Sequence, residues 1–148
     1  MRVVIYKIPK KEKVLYNLGL LLCKLFKNKK IGIFCEKETM DFVDKMLWTF
    51  STNVFLPHNI AVEDELQNEK QPILISSELK RLDRDVLCVL TENDLFTAID
   101  KQNTAKCIND LIYMTQDDCD ILKIKNHPNV DKVDVFEKTQ NTWHLVMS

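Results

Sequence analysis

The fold of this chain is decided by VVIYKIPKKEKVLYNLGLLLCKLFKNKKIGIFC, residues 3–35. Residues 3–8 form a β-branched run that predicts a strand closed by Pro9. From Lys10 onward the apolar spacing is that of a helix, and one stripe carries Val14, Leu15, Leu18, Leu21, Leu22, Leu25 and Phe26. Residues 31–35 return to a short apolar run, typical of a buried strand. Strand, amphipathic helix and buried strand in succession predict a βαβ unit and a parallel sheet.

The rest of the chain continues this alternation. A second helix is expected near residues 37–50, with Phe42, Val43, Met46, Leu47 and Phe50 on one face. Further elements are expected as strands at 72–75 and 86–90, one or two helical turns at 94–99, a strand within 107–114, a helix within 117–125 ended by Pro128, and a hairpin of 133–136 with 143–146. Residues 63–71 and 81–85 are polar connections that we expect to be solvated. We therefore predict one three-layer α/β domain over 1–148, with a mostly parallel sheet and helices on both faces.

Composition excludes several classes of protein. The chain is 45% hydrophobic and 29% charged with a net charge of −1, unlike a disordered protein or a strongly basic nucleic-acid coat protein. No run of apolar residues is long enough to predict a membrane span. Gly19 and Gly32 are too far apart for a phosphate loop, so we expect a mononucleotide-binding-like fold without that loop and without a cofactor. The five cysteines form no C-x-x-C pair, which argues against zinc or a disulfide framework and favours the cytoplasm.

Charge is unevenly placed along the chain. Residues 1–30 carry nine Lys or Arg and one acid, a net charge of +8, whereas the remainder has a net charge of −9. This layout favours an ordinary helix whose outer face is rich in lysine, and the alternative is electrostatic steering of an acidic partner. Direct binding of single-stranded DNA is disfavoured because no series of aromatic residues accompanies these lysines.

No catalytic constellation is evident in the sequence. None of the histidines (His58, His127 and His144) has a Cys or a second His at metal-ligand spacing, and His58 between Pro57 and Asn59 reads as structural. The acidic cluster 117–120 reads as a solvated helix start, although it could meet Mg²⁺. The alternative hypothesis is an enzyme, dependent on a nucleotide or a metal, that uses the carboxyl edge of the sheet. Its candidate residues are Asp83, Asp85 and the cluster 117–120.

Trp48 is the most informative single residue. If the second helix persists to Phe50, Trp48 lies about 240° from Phe42 on a helical wheel, almost opposite the apolar face. An outward tryptophan is a typical interface anchor. The alternative is that the helix frays at Leu47 and Trp48 folds under the next loop. The segment that follows carries Phe55, and Pro57 holds Leu56 extended, so we predict a small rigid apolar platform for a protein partner.

At these residues the chain resembles the chi subunit family of bacterial DNA polymerase III. The resemblance rests on Cys35-Glu, Asp44-Lys-Met-Leu-Trp48, Phe55-Leu-Pro-His-Asn-Ile-Ala61, Gln71-Pro-Ile-Leu-Ile75 and Arg84-Asp-Val-Leu-Cys-Val-Leu90. The spacing from the tryptophan to Phe-x-Pro-His-Asn is its most specific feature. The order of elements is similar along nearly the whole chain.

The resemblance implies a cofactor-free, non-enzymatic accessory subunit of the clamp-loader complex. It implies one contact with the psi subunit or an equivalent, and another with the acidic, phenylalanine-ended tail of single-stranded-DNA-binding protein. The partner-binding residues implied by the family's aromatic surface are Trp48, Phe55, Pro57 and His58. The chain departs from the family near its C-terminal end, where 121–128 holds Lys123 and Lys125 but no arginine.

Overall fold

Eight strands form one open sheet in the computed structural model, which describes residues 1–8, 13–50, 55–90, 109–115, 121–139 and 142–147. The strands are β1 (Arg2–Lys7), β2 (Ile31–Phe34), β3 (His58–Ile60), β4 (Ile73–Ser76), β5 (Val86–Val89), β6 (Asp110–Thr115), β7 (Lys132–Thr139) and β8 (Thr142–Met147). Their order across the sheet is β3-β4-β2-β5-β6-β1-β7-β8. Every neighbouring pair is parallel except the terminal hairpin of β7 and β8. The predicted α/β fold with a mostly parallel sheet is confirmed.

Helical elements lie on both faces of this sheet. The helices are α1 (Val14–Leu25), α2 (Met40–Thr49), α3 (Glu65–Glu69) and α4 (Ile121–Lys125), with 3₁₀ turns at Lys37–Thr39 and Leu79–Arg81. Leu18 and Leu22 of α1 and Val43 and Leu47 of α2 pack together against one face. Ile124 of α4 packs against the other face, together with Leu79 and Leu82. The layers predicted from the sequence are therefore present.

The central strands are apolar on both faces, as strands of a covered parallel sheet must be. All four residues of β4 and all four of β5 are buried. The two glycines permit close packing: a Cβ on Gly32 would lie 3.1 Å from Cβ of Leu82, and one on Gly19 would lie 2.8 Å from the Phe50 ring. Gly19 therefore allows the Phe50 ring to pack on α1, and Gly32 allows Leu82 to pack on β2.

The acidic segment 63–71 is mostly exposed, as its composition predicts, but part of it is helical rather than a loop. It contains α3, whose N-cap Asp64 accepts a hydrogen bond from the backbone of Leu66. Asn68 is buried and bonds both the N–H and the carbonyl of Val62, at 2.9 and 2.8 Å. The predicted solvation is confirmed at 63–67, 69 and 70, which are exposed, but the segment forms a short helix that the buried Asn68 side chain fixes to Val62.

The second polar connection, 81–85, is also partly built into the core. Arg84 is buried, and its guanidinium donates to the carbonyls of Asn68 and Gln71. Arg81 donates to a carboxylate oxygen of Glu65 at 2.7 Å. Burial lowers the pKa of Arg84, and the Asp85 carboxylate opposes that shift. Two arginines thus hold the α3 segment against the sheet.

Three smaller expectations differ from the structure. Phe42 was placed on the buried face of the second helix but is 57% exposed, because burial centres on Val43 and Leu47. Asn17, placed off the apolar stripe of the first helix, is buried because Lys138 of β7 reaches over and donates to its side-chain oxygen. The edge strand β3 was not assigned from sequence, since three residues are too short for a periodic signal.

Some expectations fall on residues outside the described part. These are the strand end at Pro9, the helix break at 51–53, the helical turns at 94–99, the acidic cluster 117–120, and Cys107 and Cys119. Within the described residues, no helix is long and apolar enough to cross a membrane.

We predict that Arg84→Met destabilises the fold. The carbonyls of Asn68 and Gln71 lose the charged donor that joins them to the core, so the free energy of unfolding should fall by roughly 1–3 kcal/mol. Urea unfolding measures the loss. Lys80→Met is the matched control, because this side chain is 70% exposed and touches only the surface carboxylate of Glu78. Equal stability of the two variants would contradict a structural role for the buried guanidinium.

Candidate functional site

Helix α2 presents Trp48 to solvent. The helix runs through Thr49, so it does not fray at Leu47, and Trp48 is 48% exposed. On a wheel of about 100° per residue, burial centres between Val43 and Leu47, and Trp48 lies about 120° from that centre. The outward orientation is therefore a direct consequence of which side chains α2 buries.

A close helix contact sets the position of α2. The Phe50 ring, just beyond the end of α2, packs directly over Gly19 of α1, where a side chain would leave no room. Tyr16 flanks the same ring edge-on, with ring centroids 6.5 Å apart. Because Phe50 is held inward in this way, the preceding turn of α2 turns Trp48 toward the outside.

Trp48 and Phe55 form one exposed aromatic pair. Their ring centroids are 5.3 Å apart with the planes inclined by 37°, and Phe55 is 64% exposed. The next residue, Leu56, is buried in the core, which anchors the segment that carries Phe55. Pro57 is half-buried beside it. The structure thus brings together three of the residues singled out from sequence, and we call Trp48 and Phe55 the aromatic platform.

His58, at the start of β3, supports the platform from beneath. Its ring centroid is 4.4 Å from that of Trp48, and its side chain is fully buried. Nδ1 lies 2.6 Å from the carbonyl oxygen of Leu56, and Nε2 lies 3.0 Å from the carbonyl oxygen of Asp44. The Asp44 carboxylate is 3.2 Å from the same Nε2. Backbone acceptors on both sides therefore hold the ring in one orientation between β3 and α2.

This burial changes the role expected of His58. A side chain without exposed surface cannot itself touch a partner, so His58 is a positioning residue for Trp48. Asp44, which sequence reasoning did not single out, completes the support. The available signal was its position four residues before Trp48, which puts both on the same side of the helix.

The platform suits binding rather than covalent chemistry. It is an exposed pair of aromatic rings inclined to each other, and a buried histidine between backbone carbonyls lies behind it. Exposed tryptophans of this kind are common anchors of protein interfaces. No group of three or more His, Cys, Asp or Glu side chains that could hold a metal ion occurs in the described ranges.

The residues proposed for an enzyme do not converge. Asp83 and Asp85 are exposed and precede β5, so they lie at the amino edge of the parallel sheet. Folds of this type bind ligands at the carboxyl edge, so that assignment was wrong. The remaining candidate, the cluster 117–120, lies outside the described residues.

The buried thiols have no reactive character. Burial raises the pKa of Cys35 to about 12, with a further contribution from Glu36, and burial raises that of Cys88 to about 12. Both thiols stay protonated at neutral pH and act as small apolar groups of the core. The expectation of buried, unpaired cysteines is confirmed at these two positions.

Comparison with known proteins gives one finding on family. The family model described as DNA polymerase III chi subunit, HolC, matches residues 1–117. No curated protein matches the chain significantly. The matched residues include the whole aromatic platform and its support.

We predict that His58→Leu lowers stability by roughly 1–3 kcal/mol, since it removes a buried ring whose nitrogens lie within hydrogen-bond distance of the backbone carbonyls of Leu56 and Asp44. Urea unfolding measures the change. His144→Leu is the matched control, because His144 lies exposed on β8. If both substitutions had the same small effect, His58 would not hold β3 to α2.

Proposed function

The chain belongs to the chi subunit family of DNA polymerase III, and from that membership we propose that it links the clamp loader to single-stranded-DNA-binding protein. Members of this family are accessory subunits of the replicative polymerase, so the chain takes part in DNA replication. In this link, one surface of the chain binds a clamp-loader subunit, and another binds the protein that coats single-stranded DNA.

The observation that carries the proposal is the aromatic platform. Trp48 and Phe55 expose large apolar area, and the buried His58 ring keeps Trp48 in place before any partner arrives. A preorganised surface loses little conformational entropy on binding. We assign this surface to the psi subunit or an equivalent clamp-loader partner.

The second contact is proposed for α4. Lys123 and Lys125 are exposed on this helix, whose Ile124 packs on the opposite sheet face from α1 and α2. The ammonium group of lysine attracts a carboxylate, but it lacks the planar guanidinium of arginine, which binds both carboxylate oxygens at once. We therefore expect a weak, salt-sensitive contact with the acidic tail of single-stranded-DNA-binding protein. Two modest contacts on separate faces of one rigid body raise the local concentration of the clamp loader at coated DNA.

The function proposed here involves no catalysis, no cofactor and no direct nucleic-acid contact, and it belongs in the cytoplasm. The exposed carboxylates Asp83 and Asp85 do not support the enzyme alternative, since they lie at the amino edge of the sheet. Protein binding accounts for the exposed rings of the aromatic platform without a catalytic side chain beside them.

We predict that Trp48→Ala and Phe55→Ala each weaken binding to the psi-type partner by roughly 2 kcal/mol, as truncation of interface aromatics often does. The double variant should lose less than the sum, because the two rings touch. Calorimetry with the purified partner measures affinity, and urea unfolding should show a stability loss of about 1 kcal/mol or less for Trp48→Ala.

Phe42→Ala is the matched control for this experiment. Phe42 is an equally exposed aromatic residue on the same helix, but it lies on the other flank of the buried stripe. Its substitution should leave affinity unchanged. A loss of binding in all three variants, or a large loss of stability with unchanged affinity for Trp48→Ala, would remove the platform from the interface.

We predict that an acidic peptide ending in phenylalanine, copied from the cognate single-stranded-DNA-binding protein, binds weakly at low salt. Binding should fade above roughly 0.1 M ionic strength, because exposed charges are then screened. Lys125→Glu should weaken it several-fold, and Lys45→Glu on the opposite face should not. Fluorescence anisotropy measures both variants, and absence of binding at low salt would count against the tail contact.

A further inference from the structure

Helix α1 carries an exposed stripe that the proposed contacts do not use. Tyr16 and Leu20 are 46% and 41% exposed, and Lys24 follows at the same four-residue spacing. These three positions fall within about 80° of one another around the helix. Lys13, just before the helix, and Lys27, just after it, are exposed at the two ends. We call this set the α1 stripe: an apolar centre between basic ends.

The charge of the α1 stripe is unbalanced. Helix α1 contains no Asp or Glu, so no carboxylate on it can pair with a lysine one turn away. Lys13, Lys24 and Lys27 make no side-chain ion pair within the described residues, whereas Lys29 in the next turn reaches Asp110 at 3.4 Å. A solvated helix face ordinarily mixes charges of both signs. The α1 stripe instead offers uncompensated positive charge around exposed apolar side chains.

We propose that the α1 stripe is a docking surface for an acidic amphipathic helix of a protein partner. The partner would place apolar side chains on Tyr16 and Leu20 and carboxylates near the lysines at each end. The span from Lys13 to Lys27 is about 20 Å at 1.5 Å per residue, which corresponds to four turns of a partner helix. Apolar anchors one turn apart, as here, are the usual pattern for helix recognition.

The same features disfavour nucleic acid as the occupant. Surfaces for single-stranded nucleic acid combine positive charge with several stacking aromatic rings. The α1 stripe has one ring, Tyr16, and its edge already faces Phe50 at a centroid distance of 6.5 Å. Leu20, the other apolar residue, offers no stacking surface. The stripe also lies on the opposite sheet face from Lys123 and Lys125, so it is distinct from the proposed tail contact.

The test uses the full chain and a fluorescein-labelled peptide with leucines at i, i+3, i+4 and i+7 and glutamates elsewhere. Anisotropy at low salt should show saturable binding, and a scrambled peptide of the same composition should bind at least about tenfold more weakly. Leu20→Glu should reduce affinity about tenfold or more, and Lys24→Glu should reduce both affinity and its salt dependence. Lys45→Glu, an exposed lysine on α2, is the control with the same charge change and should bind normally.

Each alternative result overturns the proposal. Equal binding of the scrambled peptide would indicate charge attraction alone, and equal loss with Lys45→Glu would indicate no localised site. Binding of a single-stranded oligothymidine with the same sensitivity to Leu20→Glu would make the α1 stripe a nucleic-acid surface. Absence of peptide binding at low salt would also refute the proposal that the α1 stripe docks an acidic helix. Tyr16→Ala, checked by thermal unfolding, provides a second variant if Leu20→Glu fails to fold.

Discussion

The fold depends on the burial of the central strands on both faces. β2, β4 and β5 carry apolar side chains above and below the sheet, so each face needs its own cover. α1 and α2 meet that need on one face by turning Leu18, Leu22, Val43 and Leu47 inward. The remaining sides of these helices are consequently left outside, and they carry both surfaces discussed above: the aromatic platform on α2 and the α1 stripe.

Exposed aromatic rings are useful for binding only if they are held in place. Two constraints do this for Trp48: Phe50 packs over Gly19 on one side, and on the other the His58 ring lies between the backbone carbonyls of Leu56 and Asp44. Polar bonds beneath an apolar surface are directional, so they fix orientation where apolar packing alone permits sliding. The same logic applies to the α3 segment, which Asn68 and Arg84 hold by bonds to backbone carbonyls.

The last part of the chain adds to the fold beyond the residues matched by the family model. β7 extends the sheet next to β1, and Phe136 stacks on Tyr6 at 5.4 Å. Lys138 lies 5.5 Å from the Trp143 ring centroid and donates to Asn17 of α1 at 2.8 Å. These contacts tie the terminal hairpin to the first helix. The segment before it carries Lys123 and Lys125, to which the tail contact is assigned in the proposed function.

The sequence alone is enough to predict the α/β class, most strands, α1 and α2, but it leaves the direction of Trp48 open until α2 is seen to continue to Thr49. The predicted elements follow from apolar spacing, because a buried face must repeat with the period of its own element. Only the tertiary structure decided which polar residues are buried. Asn68 and Arg84 lie in polar stretches and Asn17 and His58 in apolar ones, yet all four are buried with their polar atoms beside groups brought near by folding. The amino-edge position of Asp83 and Asp85, by contrast, already follows from their place directly before the strand at 86–90 in a parallel sheet.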